Sequence, residues 1–324
     1  MLLLVAAAAC ADGRGFADAG VLDGGAQDGG GGLVWRNAAA LPSPRQEVAA
    51  AVLRGALYVV GGLDGRGRGL RETLRLDVGA NAWTRLADYP FAVDHALAIT
   101  IGDRVYVMGG SEGFNPANPE KRVYAYDADT DRWTPRADMP DARWAPAGAA
   151  VNEIAYVGGG LGQRAAAIMA YDTTRDTWST LQGVALTPRD HLGAAEVDGR
   201  VVFVGGRQGV TNLALVEVLD PGRMSIVTGA PMPTARGGIA ASALAGRVFV
   251  AGGENLTNPL DLPGGVYPQL ELYDVARDLW SAGPPMKTPR HGHGAVTLGG
   301  LVFTIGGGDR AGVGAVSTVE TVGP

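Results

Sequence analysis

The sequence predicts an all-β fold, a six-bladed β-propeller with four antiparallel strands per blade, and three observations carry that expectation. Six glycine pairs, Gly61-Gly62, Gly109-Gly110, Gly159-Gly160, Gly205-Gly206, Gly252-Gly253 and Gly306-Gly307, recur 46 to 54 residues apart, a period that marks a repeat architecture. The spacing of other residue types around each pair is tighter than the spacing between pairs. Of 324 residues 51 are glycine and only 6% are aromatic, which suits many tight turns and few large helical faces.

Each copy reads in order. Sixteen residues before the first glycine stands Arg45, Arg143, Arg189, Arg236 or Arg290, and the second copy departs with Val93. Runs such as Ala56-Leu57-Tyr58-Val59-Val60 lead into the pair with strand composition, and the pair itself allows a backbone approach that a Cβ would block. A third strand ends in Leu76-Asp77, Tyr126-Asp127, Tyr171-Asp172, Leu219-Asp220 or Tyr273-Asp274, and six residues past the Asp come Trp83, Trp133, Trp178, Ile226 and Trp280. Asp, five residues and Trp fit a strand, a tight turn containing Asp or Asn, and a fourth strand.

The last copy ends at Val319-Glu320-Thr321-Val322, before any Trp strand, while Trp35 precedes Arg45 by the usual ten residues. The N-terminal strand is therefore expected to complete the sixth blade and remove two exposed sheet edges.

With Gly-Gly, Tyr126-Asp127 and Trp133 in register, the chain resembles the Kelch-repeat propellers from Leu33 to Pro324. The departures at Val93, Ile226, Leu76 and Leu219 are local. The resemblance implies a binding or interaction scaffold. Some six-bladed Kelch proteins are sialic acid mutarotases, so it also implies an alternative, a sugar-acid mutarotase or epimerase. The copper enzymes of the galactose-oxidase type need a cysteine inside the propeller, and the single cysteine here, Cys10, precedes it.

Residues 1–10 read as a signal peptide. Met1 to Ala9 is apolar and ends in Ala7-Ala8-Ala9-Cys10, which resembles the cleavage box of a bacterial lipoprotein, although no positive residue precedes the run. Lipidation at Cys10, or plain secretion, is the expectation, with an extracytoplasmic location and membrane contact only through the anchor. Residues 11–32, rich in Gly and Asp, read as a flexible linker, and residues 33–324 as the propeller. A net charge of −6 argues against general nucleic-acid binding. A monomer is expected.

Function is expected on loops, because the blades are scaffold. The segments after the glycine pairs and those carrying the Arg slots should share one face, which collects Arg66, Arg207 and the insertion that begins at Glu254 and runs to Gln269. The recurring arginines read as hydrogen-bonding elements between blades, not as a ligand-binding ring. One and two residues past the Arg slot, the repeat is broken by Glu47, Asp94, His95, Trp144, Asp190, His191 and His291. These should form a polar rim with one aromatic at the channel mouth. Asp94, Trp144 and His291, with Arg66, Arg207 and Glu254, are the ligand-binding candidates; Glu47, His95, Asp190 and His191 are the acid-base candidates if the rim is catalytic. The other reading of the rim is a polar ring solvated by channel water. His293 sits where such repeats carry a structural His. No cofactor is expected and no metal, since His95, His191 and His291 would have to converge from three blades without a recognisable spacing. A protein or a glycan ligand is the expected partner.

Overall fold

The structure, a computed structural model, describes residues 32–324. The expected leader, Cys10 and nearly all of the expected linker lie outside the described residues.

Six four-stranded antiparallel sheets radiate from a common axis. From inner to outer strand, blade 1 is Ala49–Leu53, Ala56–Val60, Thr73–Asp77 and Ala82–Arg85, and blade 2 is Leu97–Ile101, Arg104–Met108, Val123–Asp127 and Arg132–Arg136. Blade 3 runs Ala147–Val151, Ile154–Gly158, Ala167–Asp172 and Thr177–Ala185, and blade 4 Gly193–Val197, Arg200–Val204, Val216–Asp220 and Ser225–Thr228. Blade 5 is Ala240–Leu244, Arg247–Ala251, Leu270–Asp274 and Leu279–Ala282. Blade 6 takes Gly294–Leu298, Leu301–Ile305 and Val319–Gly323 from the end of the chain and Val34–Asn37 from its start, with Trp35 opposite Val322. The ring is closed as the sequence implies, and the inner strands neighbour one another all round the axis.

The cores lie between blades and are filled by the middle strands, for example Tyr58, Val60, Val105, Val107 and Tyr126 between blades 1 and 2. The outer Trp residues link neighbours through the indole N–H: Trp83 donates to Ala39 O (2.8 Å), Trp178 to Ala137 O (2.8 Å), Trp280 to Ala230 O (2.9 Å) and Trp35 to Pro284 O (2.8 Å). The residue two before the Trp adds a second link, since Asn81, Asp131, Asp176 and Asp278 accept the backbone N–H of Ala39, Ala87, Ala137 and Ala230. Ile226 cannot donate. Blade 3 instead extends its outer strand to nine residues, and Ile226 packs against the adjoining core.

The Arg slots correct one expectation. Their side chains stay inside their own blade: Arg236 meets Gly252 O (2.6 Å), Gln269 O (3.1 Å) and Glu271 (2.8 Å), and Arg290 meets Glu320 (2.6 Å) and the Thr304 hydroxyl (2.8 Å). The blade-to-blade link is the slot's backbone carbonyl, which accepts from the second glycine of the preceding blade: Gly110 to Arg143 (2.8 Å), Gly206 to Arg236 (2.9 Å), Gly253 to Arg290 (2.9 Å) and Gly307 to Arg45 (2.8 Å). Val93 O accepts from Gly62 in the same way (2.8 Å), so this link survives the loss of the guanidinium. Glu120 of blade 2 then takes Arg122 as its partner (2.7 and 2.6 Å). The close approach also explains the glycines, because a Cβ on Gly252 would stand 2.1 Å from Arg290 O.

Candidate functional site

The slot residues and the post-glycine loops emerge on one face because they pair. Antiparallel bridges join Gln46 to Leu63, Asp94 to Ser111, Trp144 to Leu161, Asp190 to Arg207, Gly237 to Glu254 and His291 to Gly308. One residue further on, the backbone closes a circle about the axis. Glu47 N donates to Gly292 O (2.6 Å), His95 to Glu47 (3.1 Å), Ala145 to His95 (3.0 Å), His191 to Ala145 (3.3 Å), Gly238 to His191 (3.0 Å) and Gly292 to Gly238 (2.9 Å). All six are left-handed, with φ from 52° to 68°. Four of them carry a Cβ and bear the cost of that conformation, of order 1–3 kcal/mol each, against the hydrogen bonds of the circle.

That circle aims Glu47, His95 and His191 inward, and the flanking residues lock them. His95 Nδ1 lies 2.6 Å from Asp94 Oδ1, and its Nε2 stands 3.3 Å from Glu47 Oε2. Asp94 also accepts the Ser111 hydroxyl (3.0 Å) and Phe114 N–H (2.7 Å). His191 Nδ1 lies 2.5 Å from Asp190 Oδ1, and its Nε2 is 3.0 Å from Arg207 Nη2, whose other nitrogens reach Glu254 and, at 3.4 Å, Asp190. Trp144 stacks on the His95 ring at 4.1 Å and meets His191 edge-on at 4.8 Å. Glu47 finds room for its carboxylate only because Gly292 has no side chain: a Cβ there would lie 2.1 Å from Oε1.

Burial and charge set the protonation states. Burial alone would raise the Glu47 carboxyl, but His95 and then His291 hold it well below the usual carboxylate range. Glu254 is likewise held low against burial by His291 and Arg207. His291 is pushed up although burial opposes it, because Glu254 and Glu47 face its Nδ1 at 3.5 and 3.4 Å; Nε2 lies 3.0 Å from the Arg310 carbonyl, an acceptor. Burial pushes His191 down against the pull of Asp190, and pushes His293 further.

The structure therefore brings together Glu47, Asp94, His95, Trp144, Asp190, His191, Arg207, Glu254 and His291, each no more than 9% exposed. A polar rim at the channel mouth was expected, and the residues form a buried plug there. Loops seal it: Gly312 N–H donates to Glu254 Oε2 (3.0 Å), Gln46 Nε2 to Gly312 O (2.6 Å), and Gly314 N–H to Gln46 Oε1 (2.7 Å). Arg66 stands apart on an exposed turn of blade 1. Not anticipated is the part that Gln46, Phe114 and the 310–314 turn play in closing the plug, through backbone groups or loop geometry. Beneath the plug is a cavity of about 100 Å³ lined by Glu47, His95, His191, His293 and the apolar Val48, Leu192 and Ile239.

The chain matches the family described as the KLHDC2/KLHL20/DRC7 Kelch-repeats domain over residues 34–206 and 94–308. It is 29% identical over 302 residues to Kelch-like protein terF of Aspergillus terreus, covering 87% of this chain and 65% of that protein. Kelch-like protein 35 of Mus musculus is 31% identical over 189 residues, 58% of this chain and 32% of that protein. The chain thus spans about two thirds of the first of these relatives and a third of the second. Among solved structures, that of YjhT aligns with a TM-score of 0.72 at 18% identity, over 88% of this chain and 99% of that one, a likeness of fold.

Proposed function

The chain belongs to the Kelch-repeat family, and we propose that it is a non-catalytic binding module that docks a protein ligand on its loop face. The observation that carries this is a set of exposed apolar side chains, one from the loop of each of five successive blades: Phe114, Leu161, Val210, Leu260 and Val313, exposed by 52, 40, 55, 97 and 44%. Apolar side chains gathered on one face, rimmed by polar ones, are the pattern of an interaction surface. A groove of about 580 Å³ lies beside Leu161, lined by Pro116, Pro119, Lys121, Pro140 and Gln163, within the size range of ligand pockets. The face is also braced in advance. Thr257 Oγ1 donates to Val210 O (2.9 Å) and Ala311 N–H to Gly264 O (2.7 Å), tying the loops of blades 4, 5 and 6 together, so little ordering is lost on binding.

The second reading, a sugar-acid mutarotase, is favoured by the two Asp–His pairs facing Glu47 across one cavity. It is opposed by size: about 100 Å³ is a third of the smallest usual small-molecule pocket, roughly 300 Å³. A screen of residues 32–324 against displayed peptides and a glycan array, followed by an anomer-exchange assay on any sugar that binds, separates the readings. Peptide hits support docking; glycan hits without anomer exchange leave a lectin-like module; catalysed exchange would establish the enzyme. Lipidation at Cys10, with the propeller outside the cytoplasm, is part of the same proposal and is tested by labelling with a palmitate analogue in wild type and Cys10→Ala.

A further inference from the structure

We propose that the axial cavity binds one divalent transition-metal ion of the zinc type, through Glu47 Oε2, His95 Nε2 and His191 Nε2. This rests on four observations and does not depend on the docking reading.

First, Glu47, His95 and His191 each offer a ligand atom within 4.8 Å of the others, and all three side chains are buried. The Glu47 Oε2 to His95 Nε2 separation of 3.3 Å is not spanned by a hydrogen bond between them. It matches the ligand-to-ligand edge of a tetrahedral site with bonds of about 2.0–2.1 Å, roughly 3.3 Å. Second, both histidines turn Nδ1 to a carboxylate, Asp94 at 2.6 Å and Asp190 at 2.5 Å. That contact holds the Nδ1–H tautomer and leaves Nε2 as the lone-pair donor, the arrangement that orients metal-bound histidines. It arises independently in blades 2 and 4, from the dipeptides Asp94-His95 and Asp190-His191.

Third, the cluster buries four carboxylates, Glu47, Asp94, Asp190 and Glu254, against one guanidinium, Arg207. Uncompensated charge is costly in such a place, and a divalent cation supplies the balance. Fourth, His293 lines the same cavity, 5% exposed, with both ring nitrogens unpartnered. It is free to act as a fourth ligand or to hold a metal-bound water. Two nitrogens and one oxygen favour Zn²⁺, Co²⁺ or Ni²⁺ over Mg²⁺ or Ca²⁺, which take oxygen ligands.

Arg207 is the competitor. Its Nη2 sits 3.0 Å from His191 Nε2, so the ion must displace it onto Glu254 and Asp190, which it already contacts. This gives the test a sign that a merely structural role would not produce. The full chain, stripped with chelator, is dialysed against Zn²⁺ for metal content and titrated with Co²⁺ for the visible band of a low-coordinate site. Wild type should take up one ion per chain. His95→Ala and Glu47→Gln should weaken binding by at least about 100-fold, Asp94→Asn by about 10–100-fold, and Arg207→Met should tighten it. Wild type that takes up no ion, or uptake unchanged in both Glu47→Gln and His95→Ala, overturns the proposal. If a ligand variant fails to fold by circular dichroism, wild-type stoichiometry and Arg207→Met decide, and weaker binding in the latter also overturns it.

Discussion

Arg236 is fully buried, and its guanidinium bonds the carbonyls of Gly252 and Gln269 and the Glu271 carboxylate. Removing one partner of such a pair leaves the other charged and dry, which costs about 3–5 kcal/mol, while replacing both with apolar groups is often near neutral. Arg236→Ala should therefore lose about 3–5 kcal/mol in urea unfolding, and Arg236→Met with Glu271→Leu should regain most of it. The titrating groups of the plug predict a stability maximum near neutrality. His291 is raised, so its contribution is complete below the unfolded value of about 6.5 and is lost as pH climbs through its folded value. His191 and His293 are lowered, so stability falls as pH drops below about 6.5, and Glu47 and Glu254, also lowered, add a further loss below about 4.5. Melting temperature against pH should show both limbs, and His291→Gln should flatten the alkaline one and also weaken the loss below about 4.5, because His291 helps hold Glu47 and Glu254 low; an unchanged alkaline limb would mean that His291 is neutral in the fold.

The outer strand of blade 6 pairs the start of the chain with its end, and Trp35 is its anchor, 5% exposed and bonded to Pro284. Trp35→Ala should cost about 3–5 kcal/mol. A chain beginning at Gly32 should stay monomeric, whereas one beginning at Ser43 should leave Val319–Gly323 as an uncovered strand edge and aggregate. Equal melting temperatures for these two truncations would show that closure does not depend on the strand. At this scale the sequence was nearly transparent. Gly pairs, Tyr-Asp ends and Trp positions recur because each performs a backbone or indole link that every blade repeats, so register alone located the strands and the closing Trp. Side-chain direction was not legible. The Arg period marks a carbonyl that joins blades, and nothing in the spacing says that the guanidinium turns back into its own sheet.

For the whole molecule, the repeat-breaking residues were found from the sequence and their burial was not. Glu47, His95 and His191 stand out because the slot two past Arg is otherwise Ala or Gly. Their enclosure depends on the 310–314 turn and Gln46, loop contacts that carry no periodic signal. The result divides the axial end of the ring into a sealed polar plug and, outside it, an apolar face. Since Val227 and Leu279 are as exposed as the loop residues but lie on outer strands, they provide the comparison that decides where ligands dock. The measurement is the affinity of peptides selected on wild type for two variants, Phe114→Asp/Leu161→Asp/Leu260→Asp and Val227→Asp/Leu279→Asp, each shown to melt as wild type does. Docking on the loop face predicts a loss of 100-fold or more, about 2.7 kcal/mol, in the first and none in the second; binding that fails in the second and persists in the first would contradict it.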